Sequence, residues 1–95
     1  MFIGAKRIEI YLPGIRSLKE KRKYINSLKD KIKNELNLSV AEINHQDLLQ
    51  RSEIGICGVS HSRRCLKQIF QNVKKIMDRY PQLNFNGQEV SIEKK

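Results

Sequence analysis

The sequence predicts an α+β domain in which a four-stranded antiparallel sheet carries two helices on one face. Three observations lead there. The hydrophobic pattern switches between a two-residue and a 3.6-residue repeat in the order β-α-β-β-α-β. Each helical stretch has its own start and stop residues. The length, 95 residues, suits one domain (residues 1–95) with a modest core and no obligatory disulfide or metal. This order is the split βαβ arrangement of ferredoxin-like folds, and right-handed crossovers place both helices on the same side of the sheet.

The first strand is "RIEIYL", residues 7–12, where Ile8, Ile10 and Leu12 alternate with Arg7, Glu9 and Tyr11. The phase slips just before it, because Ile3 and Ala5 are apolar and Lys6 is not. A bulge or a frayed start accounts for that slip. Pro13-Gly14 ends the strand. Ser17 and Glu20 have the spacing of a capping box, so the first helix starts there. Leu18, Ile25, Leu28, Ile32 and Leu36 form its apolar stripe, and Asn37 is its stop.

"LSVAEIN" (residues 38–44) returns to strand character, and "HQDLLQRS" (residues 45–52) is a polar connection. "EIGICGVS" (residues 53–60) is apolar on both faces, the mark of a strand that is central or covered on both sides. The second helix spans Ser62 to Tyr80, with Leu66, Ile69, Phe70, Val73, Ile76, Met77 and Tyr80 on one face and Pro81 at its end. Asn86-Gly87 is a turn, and "QEVSIE" (residues 88–93) is the last strand.

Composition narrows the function. Hydrophobic residues make up 39% and charged residues 31%, a globular balance. No apolar run reaches the roughly 20 residues that span a bilayer, and the N-terminus lacks the apolar stretch of a signal peptide. A cytoplasmic protein is expected. Cys57 and Cys65 make no disulfide framework and are expected as thiols. Cys57, on an apolar strand, reads as packing, and Cys65, bordering an apolar stripe, as a buried thiol. The net charge of +9 points to an anionic partner such as RNA, DNA or an acidic protein, although plain solubility needs charge as well.

The charge is sorted. At 100° per residue, Lys19, Arg22, Asn26, Lys29 and Lys33 share a flank of the first helix that no acid interrupts. Arg63, Lys67 and Lys74 share a flank of the second and would extend the same patch. Such ridges neutralise phosphates and release counterions, whereas the bland reading is a solvated helix face. Lys21 falls at the edge of the apolar stripe, where a lysine stem covers apolar neighbours while its head reaches water. The sheet lacks the aromatic platform used for base stacking, which favours phosphate tracking on the helical side.

Other chemistry is sparse. His45, Gln46 and Asp47 sit together, but no nucleophile is tied to them, so a small hydrolase centred on His45 and Asp47 is a distant reading. His61 and Cys65, four residues apart, offer too few ligands for a metal site, and no cofactor motif is present. Gly55 and Gly58 flank Cys57 and allow another backbone to approach, so a homodimer through the open sheet face is a further expectation.

"MFIGAKRIEIYLPG", "PGIRSLKEKR" (residues 13–22) and "LSVAEINHQDLLQRSEIGICGVS" (residues 38–60) together resemble the YlxP-like family of small bacterial proteins of unassigned function. The resemblance covers about half of the chain. It implies a ferredoxin-like fold and a gene neighbourhood of transcription, translation-initiation and ribosome-maturation factors. Its characteristic positions here are Ser17, Lys19, Glu20, Lys21 and Arg22, then Glu42, His45, Gln46 and Asp47, the latter a loop without an assigned role. Lys6 and Leu49 depart from it, standing where the family is often apolar and often aromatic. The expected function is an RNA- or ribosome-associated binding protein that is not an enzyme, with phosphate contacts from Lys19, Arg22, Lys29, Lys33, Arg63, Lys67 and Lys74. The alternative is a self-associating regulatory or scaffold module that binds an acidic protein.

Overall fold

A computed structural model describes the whole chain, residues 1–95. Its elements are β1 (Phe2–Tyr11), α1 (Leu18–Leu36), β2 (Ser39–Asn44), β3 (Arg51–Ser60), α2 (Arg63–Met77), β4 (Asn84–Gly87) and β5 (Ser91–Lys94). The sheet order is β2-β3-β1-β4, with β5 pairing the other half of β1, and all pairings are antiparallel. The domain is ferredoxin-like, as its element order predicts. Both helices lie on one side, and the core between the layers holds Ile8, Ile10, Ile54 and Ile56 of the sheet against Leu28, Ile32, Leu66 and Val73 of the helices.

Local chemistry explains the boundaries. Leu12 to Ile15 closes a turn through the bond from Ile15 N to Leu12 O (3.3 Å), with Pro13 setting one φ and Gly14 at φ 83 supplying the left-handed one. Ser17 caps α1 by accepting from Glu20 N (3.1 Å). The Glu20 carboxylate reaches back one residue beyond the cap, to Arg16 N (3.4 Å). Asn37 ends α1 in the left-handed region at φ 53. Ser62 caps α2. That helix closes at Met77 rather than Tyr80, because the amides of Arg79 and Tyr80 turn to tighter bonds with Ile76 and Met77.

Three expectations about the strands change. β1 has no bulge: Phe2 to Tyr11 pair without interruption with Ser60 to Arg51. The apparent phase slip arises because Gly4 and Lys6 occupy the helix side while Ile3 and Ala5 lie on the open side. The bulge is instead in β2, between Glu42 and Asn44. The last strand is split, with Asn86-Gly87 inside β4 and a break at residues 88–90. β3 is central, as expected, but it starts at Arg51, within the expected connection.

Gly4 and Gly58 face each other across β1 and β3 directly beneath α2. A Cβ on Gly4 would stand 2.8 Å from Phe70 and 2.9 Å from Leu66, and one on Gly58 would overlap Leu38. Gly4 lets α2 settle onto the sheet, and Gly58 makes room for Leu38, the residue just before β2. Gly4→Val should therefore lower stability by about 1–3 kcal/mol, the usual cost of overpacking, read from urea unfolding; an unchanged midpoint would contradict this packing.

Candidate nucleic-acid interface

Twelve of the nineteen basic residues lie in the two helices, with only three of the ten acids. The helices thus carry the whole net charge of +9, and everything outside them sums to zero. α2 itself contains no acid.

The two cationic ridges do not merge, which corrects the expectation of one extended patch. The flank of α1 that meets α2 is defined by three contacts. Ser27 Oγ lies 2.8 Å from Tyr80 Oη, Lys31 stacks over the Tyr80 ring, and Glu35 pairs with Arg79. On the helical wheel Lys19, Arg22, Lys29 and Lys33 fall on the opposite flank, toward the edge strand β2. Arg63, Lys67 and Lys74 lie on the flank of α2 turned away from α1. All seven are exposed except half-buried Lys29, and none forms a salt bridge. Arg63 rests over the Phe2 ring (5.3 Å).

The α2 ridge borders a groove of about 530 Å³ between that helix and the break separating β4 from β5. Arg63, Lys67 and Lys74 form one wall, with Phe70, Val90 and Ile92 as apolar lining. Lys6 of β1 enters the same groove from the sheet. Sequence reasoning did not place it beside the α2 ridge. The available signal was the lysine that breaks the apolar alternation of β1 on its helix side.

The loop residues have another role. The Lys21 side chain is buried, contrary to the expectation of a solvated head. Its ammonium donates to the carbonyls of His45 and Leu48 (2.6 Å each) and pairs with Glu42 Oε2 (3.2 Å), with the Gln46 carbonyl at 3.5 Å. Three donors thus meet three close acceptors. Buried Ser52 donates to the same Glu42 oxygen (2.6 Å). His45 turns the chain at φ 63, and its amide is held by Asn44 Oδ1 (3.0 Å). No hydrogen bond joins the His45 and Asp47 side chains, and Asp47 is exposed.

On the open sheet face, Glu9 and Glu53 stand directly opposite one another. Each finds an arginine diagonally: Arg7 pairs with Glu53 (3.0 Å) and Arg51 with Glu9 (3.5 Å). The Tyr11 hydroxyl donates to Glu9 (3.1 Å) and its ring lies under Arg51, so the one aromatic of this face is already occupied. Cys57 is exposed here and Cys65 is exposed on α2, which corrects the expectation that both are packed. Open-face Cys57 has only Ala5 and Ser39 beside it across the strands. No three His, Cys, Asp or Glu side chains converge as metal ligands, and no helix is long and apolar enough to cross a membrane.

Fold and charge define a small basic ferredoxin-like domain with a cationic helical layer. Residues 3–89 match the family described as a protein of unknown function, DUF503, and the chain belongs to that family. It is 35% identical over 81 residues to the uncharacterized protein YlxP of Bacillus subtilis (strain 168), covering 85% of this chain and 88% of that protein. Among solved structures, it is similar to a de novo designed protein with ferredoxin fold at a TM-score of 0.62 and 11% identity, over 93% of this chain and 84% of the design. It is also similar to SnoaB, a cofactor-independent oxygenase from Streptomyces nogalater, at a TM-score of 0.54 and 5% identity, over 97% and 92% of the two chains. At these identities the likeness is one of fold alone.

Two predictions follow from the geometry. Lys21→Met should destabilise the domain by about 3–5 kcal/mol in urea unfolding, since it leaves Glu42 and the loop carbonyls without their cation, whereas Lys19→Ala should stay within about 0.5 kcal/mol. Similar losses for both variants would contradict this role for the Lys21 ammonium. The hydrogen bonds from Arg79, with the attraction of Arg79 and Lys31, hold the Glu35 carboxyl below its usual pKa despite some desolvation. A depressed folded-state pKa gives stability that is present above the unfolded value and lost as pH falls through the folded one. Arg79→Ala should return the Glu35 titration toward the ordinary carboxylate range, read by NMR.

Proposed function

We propose that this protein is an RNA- or ribosome-associated binding protein of the cytoplasm, and that it works by holding phosphates rather than by catalysis. The observation that carries this reading is the confinement of the entire +9 charge to the helical layer, with seven ridge cations free of acidic partners. Cations that already pair with carboxylates must break those pairs to meet a phosphate; these need not. The groove beneath α2 is the better-formed contact line, since Lys6, Arg63, Lys67 and Lys74 converge on it from two layers. Arg22, Lys29, Lys19 and Lys33 provide a second line on the opposite edge. Base readout has little support from the sheet, where Tyr11 is engaged, so backbone and shape recognition fit best.

The test is co-sedimentation with ribosomal subunits and anisotropy with labelled ribosomal RNA fragments, at low and high salt. Association should weaken steeply as salt rises, and Lys67→Glu with Lys74→Glu should weaken binding at least tenfold without unfolding the domain. Arg22→Glu with Lys29→Glu should weaken it separately. Affinity that ignores both pairs of reversals would overturn the proposal. Binding to an acidic protein but not to RNA would favour the scaffold reading.

A further inference from the structure

We infer that the open face of the sheet is the interface of a homodimer, in which two copies stack sheet against sheet about a two-fold axis. Three observations point to a second copy as the occupant. The first is apolar exposure. Val59 is 61% exposed and Ile43 43% exposed, and both stand on this face with Ile3, Ala5, Ala41 and Cys57. Ile43 and Gly55 border a shallow depression of about 360 Å³ whose floor is made by small residues. A branched side chain from a facing sheet can enter it.

The second observation is charge. The helical layer carries the whole net charge of +9 and repels the same layer of another copy. The open face lies on the side away from that layer. Arg7 and Glu53 neutralise each other there, as do Arg51 and Glu9, and Glu93 pairs with Lys95. Two such faces meet with these arginines and glutamates already paired within each copy, and Glu89, at the margin of the depression, is the acid left without an ion pair. The same neutrality makes the face a poor match for nucleic acid, whose phosphates the helical layer attracts instead.

The third is area. With strands about 4.8 Å apart and about 3.4 Å per residue, the four strand positions offer roughly 550 Å² per copy, or about 1,100 Å² for two. This clears the roughly 1,000 Å² expected of a specific interface. Aligned sheets packing about 10 Å apart leave both helical layers on the outside. The dimer therefore keeps its cationic ridges accessible, and the inference does not depend on whether RNA is what they bind.

The experiment is sedimentation equilibrium of the full chain, combined with maleimide labelling of its two thiols. The unmodified protein should sediment at twice the chain mass at micromolar concentration. Cys57, in the interface, should label at least tenfold more slowly than Cys65 on α2. Val59→Arg and, separately, Ala41→Arg should give monomers in which Cys57 labels as fast as Cys65, with unchanged far-UV circular dichroism because both positions are exposed. A wild-type monomer whose two cysteines label alike overturns the inference, as does a dimer that survives both variants. In the first case the face is free for a partner of another kind, and RNA binding by the helical layer is tested independently by its own reversals.

Discussion

One buried ammonium ion organises the least regular part of this protein. Lys21 leaves the second turn of α1 and ends among the carbonyls of a loop more than twenty residues away. Burying an amine is costly unless its donors are all used. Here they are used by two carbonyls and a carboxylate, and the carboxylate is steadied by Ser52. The bulge in β2 and the positive φ of His45 suit this geometry, for the chain must curl to aim its carbonyls at a single point. Helix, edge strand and hairpin loop are thereby fixed to one another.

This contact also gives physical meaning to the family resemblance. The two sequence blocks that carry it, "SLKEKR" and "EINHQD", touch at Lys21, Glu42 and His45. Ser17 and Glu20 in the first block cap the helix that presents Lys21. Much of the motif is thus accounted for by architecture. Lys19 and Arg22 are not; they stay outside, without an acidic partner, on the flank that faces away from α2.

Charge follows the layering. The open face of the sheet balances its ions between β1 and β3, with each glutamate of a like-charged cross-strand pair drawn to a diagonal arginine. The helices leave their cations largely unanswered. A molecule divided in this way has one surface suited to polyanions and another suited to contact without charge. Both proposals arise from this division, though each rests on different residues.

The sequence by itself determined the element order, both helix caps and the apolar stripes, because these depend on neighbours within a few residues and on the period of the chain. It also determined which cations share a helical flank. Tertiary structure alone decided which flank faces which edge, so the separation of the two ridges was hidden. It decided that Lys6 joins Arg63, Lys67 and Lys74, since a residue in β1 meets α2 only once the sheet and helix are packed. Lys21 shows the limit most clearly: a lysine at the edge of an apolar stripe looks solvated by sequence. Its burial depends on acceptors from a remote loop, and no local pattern can reveal a partner that only folding brings within reach.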